Sequence, residues 1–291
     1  MTSSLLRGLR VEDAEQVAAL FVEAFGGARM LDGREVASWL RDPALRQEHL
    51  RVLEEDGRIV GYGDVAARGD TLFIDLAAPG RWNELLDWAE SQVAALGLKT
   101  ASLFAPHEHE LEHLATTRGY EKTRESLTME IGFDDLPPDG DFGRLEVRTY
   151  RAEDRDAVIA ALNDAFSEDP FFQETTAERF DAMFVGRDDF DPTLWFLAWD
   201  DAELAGFALD YPQLGTDPGL GHVNWLGVRK QWRRRGLAEA LLRDSFRELY
   251  ARGKHRTALG VDAQNVTGAL RVYERVGMHV TRRFGTWQKE L

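Results

Sequence analysis

Apolar positions in the second half of the chain alternate between two periods. "LWFLAWD" and "LAGFALDY" are short apolar runs on either side of Asp200 and Asp201, which is a hairpin signal. "HVNWLGV" predicts another strand. Over residues 237–252 apolar side chains recur at helical spacing and Gly253 ends the run, which predicts a long amphipathic helix. Around these, residues 145–150 read as a strand, 154–166 and 177–185 as helices, "TALGVDA" as a strand and 266–276 as a helix. The tail after Gly277 gives one or two more strands. This order predicts an α/β fold, a mixed sheet of α+β-like character with helices on both faces.

The first half follows the same order with shorter pieces. "HLRVLEEDG", "RIVGYGDVAA" and "TLFIDLAA" read as strands, 82–96 as a helix, "KTASLFA" as a strand and 108–117 as a helix. The beginnings of the halves match, "LRGLRVEDAEQVAALFVEAF" against "LEVRTYRAEDRDAVIAALNDAF". So do the ends, "GYEKTRESLTMEI" against "GMHVTRRFGTWQKEL". A period of about 150 residues describes a duplicated domain and not a solenoid. Between the halves, "DDLPPDGDFGR" is rich in Pro, Gly and Asp, a composition that breaks periodic structure. The expected organisation is a domain at 1–133, a linker at 134–144 and a second domain at 145–291.

Composition narrows the function. The 291 residues carry a formal net charge of −16 and include no cysteine. Disulfides, thiolate zinc sites and cysteine nucleophiles are excluded, and a reducing, cytoplasmic compartment fits. The N-terminal residues have no apolar signal region, and no run approaches ~18 apolar residues. The acidic balance argues against general nucleic-acid or anionic-membrane binding.

Against that charge, Arg229 to Arg235 hold five basic residues in seven, in "GVRKQWRRRGLAEALL". A strand ends at Val228 and a helix starts near Gly236 to Ala238. Helix N-termini present unsatisfied N–H groups and partial positive charge. Gly236 lets the backbone turn and approach a ligand, and Ala238 keeps the first turn free of bulk. This placement favours a phosphate or pyrophosphate site over a solvated basic loop.

The spacing Arg233-x-x-Gly236-x-Ala238 resembles the acyl-CoA signature of the GNAT superfamily of N-acetyltransferases. "WLGV" before it and "GVDAQNVTGALRVYERVGM" after it are similar to that family's other cofactor elements, with Asn265, Tyr273 and Gly277 at matching places. The resemblance covers nearly all of residues 145–291 and, degraded, residues 5–133. It implies two tandem GNAT folds, each a mostly antiparallel central sheet with helices on both faces, and acetyl-CoA as cosubstrate with no metal. The pyrophosphate would sit on the amides of Arg234, Arg235, Gly236, Leu237 and Ala238. Leu226, Gly227 and Val228 would line the pantetheine, in the V between two splayed strands. Gly268 and Leu270 would face the cofactor. Asn265 would bond the pantetheine arm, cap a helix, or both.

Acetyl transfer to an amine needs a deprotonated amine, a polarised carbonyl and a protonated leaving thiolate. Tyr273 matches the family tyrosine near the CoA sulfur and is the candidate acid; the alternative is an aromatic packed on the sheet. The amide of Val228 is the candidate for polarising the carbonyl. Where many relatives carry a glutamate base this chain has Asn224, which cannot act as one. His222 is expected on the same strand face as Asn224, Leu226 and Val228, as base or as a hydrogen-bonded structural residue. Asp210 and Tyr211 are further candidates. "FSEDPFFQET" would wall the acceptor site, with Phe171 and Phe172 covering an apolar acceptor or closing the core. Glu168 and Asp169 would attract a cationic amine.

In the first half the basic segment is missing: Pro79 and Gly80 stand where the second half has Arg235 and Gly236, and Ala115 aligns with Tyr273. That half is expected to have lost the chemistry. It also carries His109-Glu110-Leu111-Glu112-His113, an H-E-x-x-H spacing. With Leu111, Leu114 and Ala115 forming the apolar stripe, both histidines are expected on the solvent side, and no metal is expected.

The expected function is acetylation of a primary amine, on a small molecule or a peptide, by a monomer or homodimer. In outline the arrangement also resembles mycothiol synthases, in which a small amino-sugar conjugate is acetylated. An acyl-CoA-binding regulator and a polyanion binder are the alternatives.

Overall fold

The computed structural model describes residues 4–26, 29, 31–41, 45–169, 172–265 and 268–291. In chain order the first elements are β1 (Ser4–Gly8), α1 (Ala14–Phe25), α2 (Gly33–Trp39), β2 (Leu50–Glu55), β3 (Arg58–Arg68) and β4 (Thr71–Ala77). Then come α3 (Trp82–Ala95), β5 (Thr100–Pro106), α4 (Glu110–Thr117) and β6 (Glu121–Gly132). The repeat follows with β7 (Glu146–Thr149), α5 (Arg155–Phe166), α6 (Ala177–Phe180), β8 (Trp195–Asp200), β9 (Glu203–Tyr211) and β10 (Leu220–Val228). It closes with α7 (Leu237–Ala251), β11 (Arg256–Asp262), α8 (Ala269–Arg275) and β12 (His279–Glu290). No helix among the described residues is long and apolar enough to cross a membrane.

The chain forms two compact units, and they do not follow the order of the sequence at its edges. Unit 1 comprises residues 1–127, 262–264 and 282–291; unit 2 comprises 128–261 and 265–281. In unit 1 the strands run β1-β2-β3-β4-β5-β12. All neighbours are antiparallel except β4 and β5. Phe284 to Glu290 pair with Pro106 to Thr100, so the last strand of the second repeat completes the first sheet.

Helices cover both faces of that sheet. A Cβ on Gly61 or Gly63 would meet Leu85 or Trp88 of α3 at 2.9–3.0 Å, so those glycines let the helix approach. Tyr62, pointing the other way, packs on Phe21 and Trp39 of α1 and α2.

Unit 2 repeats the plan as β6-β11-β10-β9-β8-β7, with the β10–β11 pair parallel. Gly206 and Gly221 admit Leu237, Leu241 and Leu249 of α7 on one face. Phe207 and Leu209 pack on the opposite face with Val158 and Leu162 of α5 and Phe180 of α6. After Phe180 the helix widens into a π turn over Asp181–Val185.

The sequence repeat at the start of each half has a physical cause. Arg7 pairs with both oxygens of Asp13 at 2.7 and 2.9 Å, and the Arg10 amide donates to the same carboxylate at 2.9 Å. Arg148, Asp154 and Arg151 reproduce it at 2.6, 2.6 and 2.8 Å. Each device caps the turn that leads into α1 or α5 and ties it to the preceding strand.

Residues 134–144 contain no helix or strand, but they lie along α7 instead of hanging free. Tyr250 donates to the Asp134 carbonyl at 3.2 Å, Arg247 to the Pro137 carbonyl at 2.9 Å, and the Gly140 amide to Asp244 at 2.9 Å.

Candidate functional site

The site in unit 2 starts from a parting of strands. β10 and β11 pair only over Leu220 to His222 against Arg256 to Ala258. From there to Val228, β10 pairs with β9. Two parallel strands that separate leave a cleft whose wall on the β10 side is backbone free of β11, the geometry that accepts an extended ligand as an added strand.

At the end of β10 the chain makes a short 3-10 turn at Lys230–Trp232 and enters α7. Two residues of the intervening loop are left-handed, Arg234 at φ 62° and Gly236 at φ 84°. For arginine that conformation costs of order 1–2 kcal/mol, and glycine adopts it without strain. The result is a concave run of amides that opens onto the start of α7. Among the described residues, none beyond its two chain neighbours comes within 4 Å of where a Gly236 Cβ would be. Arg234, Arg235 and Gly236 are exposed, while Leu237 is buried and anchors the helix.

The remaining basic residues hold the loop in place. Arg233 donates to the Val228 carbonyl at 3.2 Å, to the Ala165 carbonyl at 2.9 Å and to Glu168 at 2.5 Å. The Lys230 amide and Arg229 reach Asp164 at 3.2 and 3.4 Å. Trp232 is buried and donates to Asp200 at 2.9 Å. Glu168, expected to attract an amine, is thus engaged by Arg233, which holds its carboxyl below the ordinary value.

The face of the sheet under α5 carries the acceptor-side candidates. The alternation expected along β10 does not hold, because the register shifts between Val223 and Trp225. A bulge of this kind reverses the side on which later residues fall. Leu226 and Val228 consequently pack with Leu237 and Leu241 on the α7 face, not beside His222. Trp225 turns to the α5 face, edge-on to Phe166 with centroids 4.9 Å apart and near Phe172 and Phe184 at 6.2 and 5.9 Å. Gly227 leaves room there for the Phe207 ring, which a Cβ would meet at 2.3 Å.

His222 lies beside Tyr211, centroids 6.3 Å apart, and the Arg187 guanidinium sits 4.3 Å from the centre of the Tyr211 ring. Arg187 is itself paired with Asp189 at 2.8 Å. Burial, and then Arg187, pull the imidazole down to about 4, so it is neutral at pH 7. Asn224 is partly buried. Phe171 lies outside the described residues. Asp210 is withdrawn from this face: it shares its side of β9 with Gly206 and Ala208, under α7, and is fully buried. Burial pushes its carboxyl well above the ordinary value.

Tyr273 projects from α8 and is 7% exposed. Burial pushes its phenol up to about 12. Gly268, left-handed at φ 77°, occupies the N-cap position of α8. Asn265, expected as a cap, therefore stands three residues ahead of it; the described helix runs from Ala269, and the expected start at 266 lies outside the described residues. Gly268 and Leu270 are partly buried.

Unit 1 shows what the repeat has become. Its strand-to-helix connection is a tight turn, with the Arg81 amide bonded to the Ala78 carbonyl at 2.8 Å. Aligning "IDLAA" with "NWLGV" puts Asp75 in the place of Trp225. Asp75 is paired with Arg29 through both oxygens, and Arg29 stacks over Phe21 and Phe25 at 4.6 and 5.4 Å. Tyr62 donates to the buried Asp64 at 2.9 Å. Burial and the neighbouring Asp75 raise Asp64 to about 8.

His109 is not on the solvent side of α4. It caps that helix, accepting from the Leu111 amide at Nδ1 (3.1 Å) and bonding the Ala24 carbonyl through Nε2 at 2.8 Å. Its ring lies 5.1 Å from Phe25 and 5.5 Å from Trp82. Both nitrogens are thereby occupied.

Comparison with known proteins bears on this arrangement. Residues 157–278 match the acetyltransferase (GNAT) family, a span that takes in β10, the basic loop, α7 and α8. The mycothiol acetyltransferase of Streptomyces coelicolor is 31% identical over 94% of this chain and 90% of its own length. The chain belongs to the GNAT acetyltransferase family. A second relative, the mycothiol acetyltransferase of Clavibacter michiganensis, is 32% identical over 92% of this chain and 90% of its own. Among solved structures, a GCN5-related N-acetyltransferase from Sphaerobacter thermophilus has a TM-score of 0.74 at 27% identity, covering 99% of this chain and 95% of that one. A tandem GNAT protein from the clavulanic acid biosynthesis pathway has a TM-score of 0.77, at 18% identity, over 99% and 98% of the two chains. That likeness speaks for the tandem GNAT fold.

Proposed function

We propose that unit 2 binds acetyl-CoA and transfers its acetyl group directly to a primary amine. The observation that carries this reading is the coincidence of the strand cleft with the left-handed Arg234 and Gly236 at the head of α7. The amides of Arg234 to Ala238 would hold the pyrophosphate. The β10 backbone at Leu226 to Val228 would accompany the pantetheine, and Asn265, Gly268 and Leu270 would border it. Arg233 contributes by fixing the loop, since its guanidinium is turned inward.

In this reading the amine attacks the thioester carbonyl, a tetrahedral oxyanion develops against the Val228 amide, and the C–S bond breaks. Tyr273 retains its proton throughout the neutral range and so stands ready as donor to the departing sulfur. A phenol at about 12 binds a proton more tightly than a thiolate near ~8.5, so Tyr273 stabilises the sulfur by a hydrogen bond and solvent supplies the final proton. His222, neutral and weakly basic, accepts a hydrogen bond from the amine and orients it. The amine's proton leaves through water. Phe172, Trp225, Tyr211 and Asn224 would border the acceptor.

Calorimetry with acetyl-CoA tests the first step; no heat at millimolar ligand would reject it. Release of free CoA across a panel of polyamines, aminoglycosides, amino acids, peptide N-termini and mycothiol-type amino-sugar conjugates tests the second. The names of the curated relatives place the last class in that panel.

A further inference from the structure

The segment 134–145 makes a continuous set of contacts along one stripe of α7. Beginning at its far end, Phe133 packs on Phe246 with centroids 5.3 Å apart, and Tyr250 holds the Asp134 carbonyl. One turn on, Arg247 holds the Pro137 carbonyl and pairs with Asp139 at 2.8 Å. Next, the Gly140 amide donates to Asp244. Residues 240, 244, 247 and 250 are spaced at three and four, so they form one face of the helix. The segment lies on that face and runs toward the helix N-terminus.

The contact tightens as it approaches the cradle. A Cβ on Gly140 would lie 2.3 Å from the Ala240 carbonyl oxygen and 2.8 Å from the Phe142 ring, so no other residue fits without displacing helix or strap. Phe142 packs in the apolar cluster that contains Leu237, the first residue of α7. A turn then closes with the Leu145 amide bonded to the Phe142 carbonyl at 3.0 Å. This turn forms one wall of a cavity of ≈ 240 Å³, and Asp200, Trp232 and, at the head of α7, Arg235 and Leu237 form the other.

We propose that residues 134–145 are a positioning strap for the cofactor cradle: Gly140, Phe142 and Asp244 fix the first turns of α7 and so set the affinity of the site for the diphosphate end of the cosubstrate. The proposal rests on the acetyl-CoA reading above. Its physical basis is that the cradle is made of backbone amides, which have no side-chain freedom to compensate for a shift of the helix. Misplacement by a fraction of an ångström is then felt directly by the ligand.

The test compares acetyl-CoA with S-acetylpantetheine, which lacks the diphosphate, using the full chain and ligand-observed NMR or calorimetry. Gly140→Ala is expected to weaken acetyl-CoA by ~10-fold while leaving S-acetylpantetheine unchanged. Because Gly140→Ala threatens the fold, a second pair isolates the hydrogen bond. Asp244→Ala should weaken acetyl-CoA alone, whereas Asp244→Asn, which keeps an acceptor oxygen for the Gly140 amide, should bind as the parent does. Acetyl-CoA affinity within twofold of the parent in a folded Asp244→Ala protein overturns the proposal. So does an equal loss for both ligands, which would describe general destabilisation. Absence of acetyl-CoA binding by the unmodified chain overturns the reading beneath it as well.

Discussion

Replacing Gly236 with alanine separates the two properties for which the proposed cradle uses glycine. The residue sits at φ 84° and ψ −6°, where an alanine costs of order 1–2 kcal/mol. No clash adds to this, since no described residue beyond the two chain neighbours lies within 4 Å of the new methyl. The unfolded chain loses some freedom on gaining a Cβ, which offsets about 0.4–1 kcal/mol. The net cost is about 1 kcal/mol, or a fall of roughly 2–4 °C in Tm for a cooperative unit of ~150–250 residues. The effect on binding should be larger. A phosphate oxygen bonded to these amides lies ~2.9 Å from nitrogen, and a methyl projecting into the same open space holds it away. Gly236→Ala should weaken acetyl-CoA by at least ~10-fold. Gly236→Asn provides the control, because asparagine tolerates the left-handed region but adds more bulk. It should melt closer to the parent than alanine and bind acetyl-CoA worse. Thermal melts and calorimetry on the three proteins measure both quantities. If Gly236→Asn binds acetyl-CoA like the parent, close approach of a ligand to this backbone is not what the glycine provides.

Other outcomes follow from the same geometry. Tyr273→Phe should lower turnover by ~10- to 100-fold with acetyl-CoA affinity unchanged, the loss of one hydrogen bond to a charged sulfur, and equal turnover would remove the phenol from the reaction. His222 should titrate in NMR spectra near 4 instead of 6.5. Its folded value is depressed, so its contribution to stability is full above about 6.5 and is lost as pH falls through about 4; His222→Gln should abolish that dependence. Asp64 has the opposite sign. Its folded value, raised to about 8, means a stabilising contribution present below its ordinary 3.8 and lost as pH rises through 8. Asp64→Asn should flatten the melting temperature of unit 1 between those limits, and an unchanged slope would contradict the burial assigned to it. Gly227→Ala should destabilise unit 2 by ~1–3 kcal/mol through the Phe207 ring, as read by denaturant unfolding.

The helices, most strands and the strand-to-helix turn at Arg234 to Gly236 are legible in the sequence because each has a side-chain signature. Periods of 2 and 3.6 mark the elements, and the Arg-x-x-Gly-x-Ala spacing marks a strand-to-helix turn. Features made by backbone are not. The bulge in β10 adds one residue to the pairing without altering the apolar look of "HVNWLGV", yet it moves Leu226 and Val228 to the other face from His222. The strap offers α7 the carbonyls of Asp134 and Pro137 and the amide of Gly140, and these groups are the same in every residue. Its Pro and Gly content announces a lack of periodic structure and says nothing about docking. A helical wheel places His109 on the solvent side, but His109 is the residue before the helix, where the wheel does not apply. The engagement of Glu168 by Arg233 depends on a contact 65 residues apart in sequence, which no local pattern encodes.

The membership of the two units has a consequence for how the molecule is made. "GYEKTRESLTMEI" and "GMHVTRRFGTWQKEL" stand at matching places in the two repeats, yet unit 1 takes residues 282–291 of the second. As the chain emerges from a ribosome, the edge of β5 that Phe284 to Glu290 will occupy stays bare while the whole second repeat is synthesised. An open edge of this kind invites pairing with other chains. The nascent protein thus passes through a long interval in which the sheet of the first repeat is unfinished, and protection of that edge by a chaperone would matter most then. The first sheet in the sequence is closed by a strand that belongs to the second repeat.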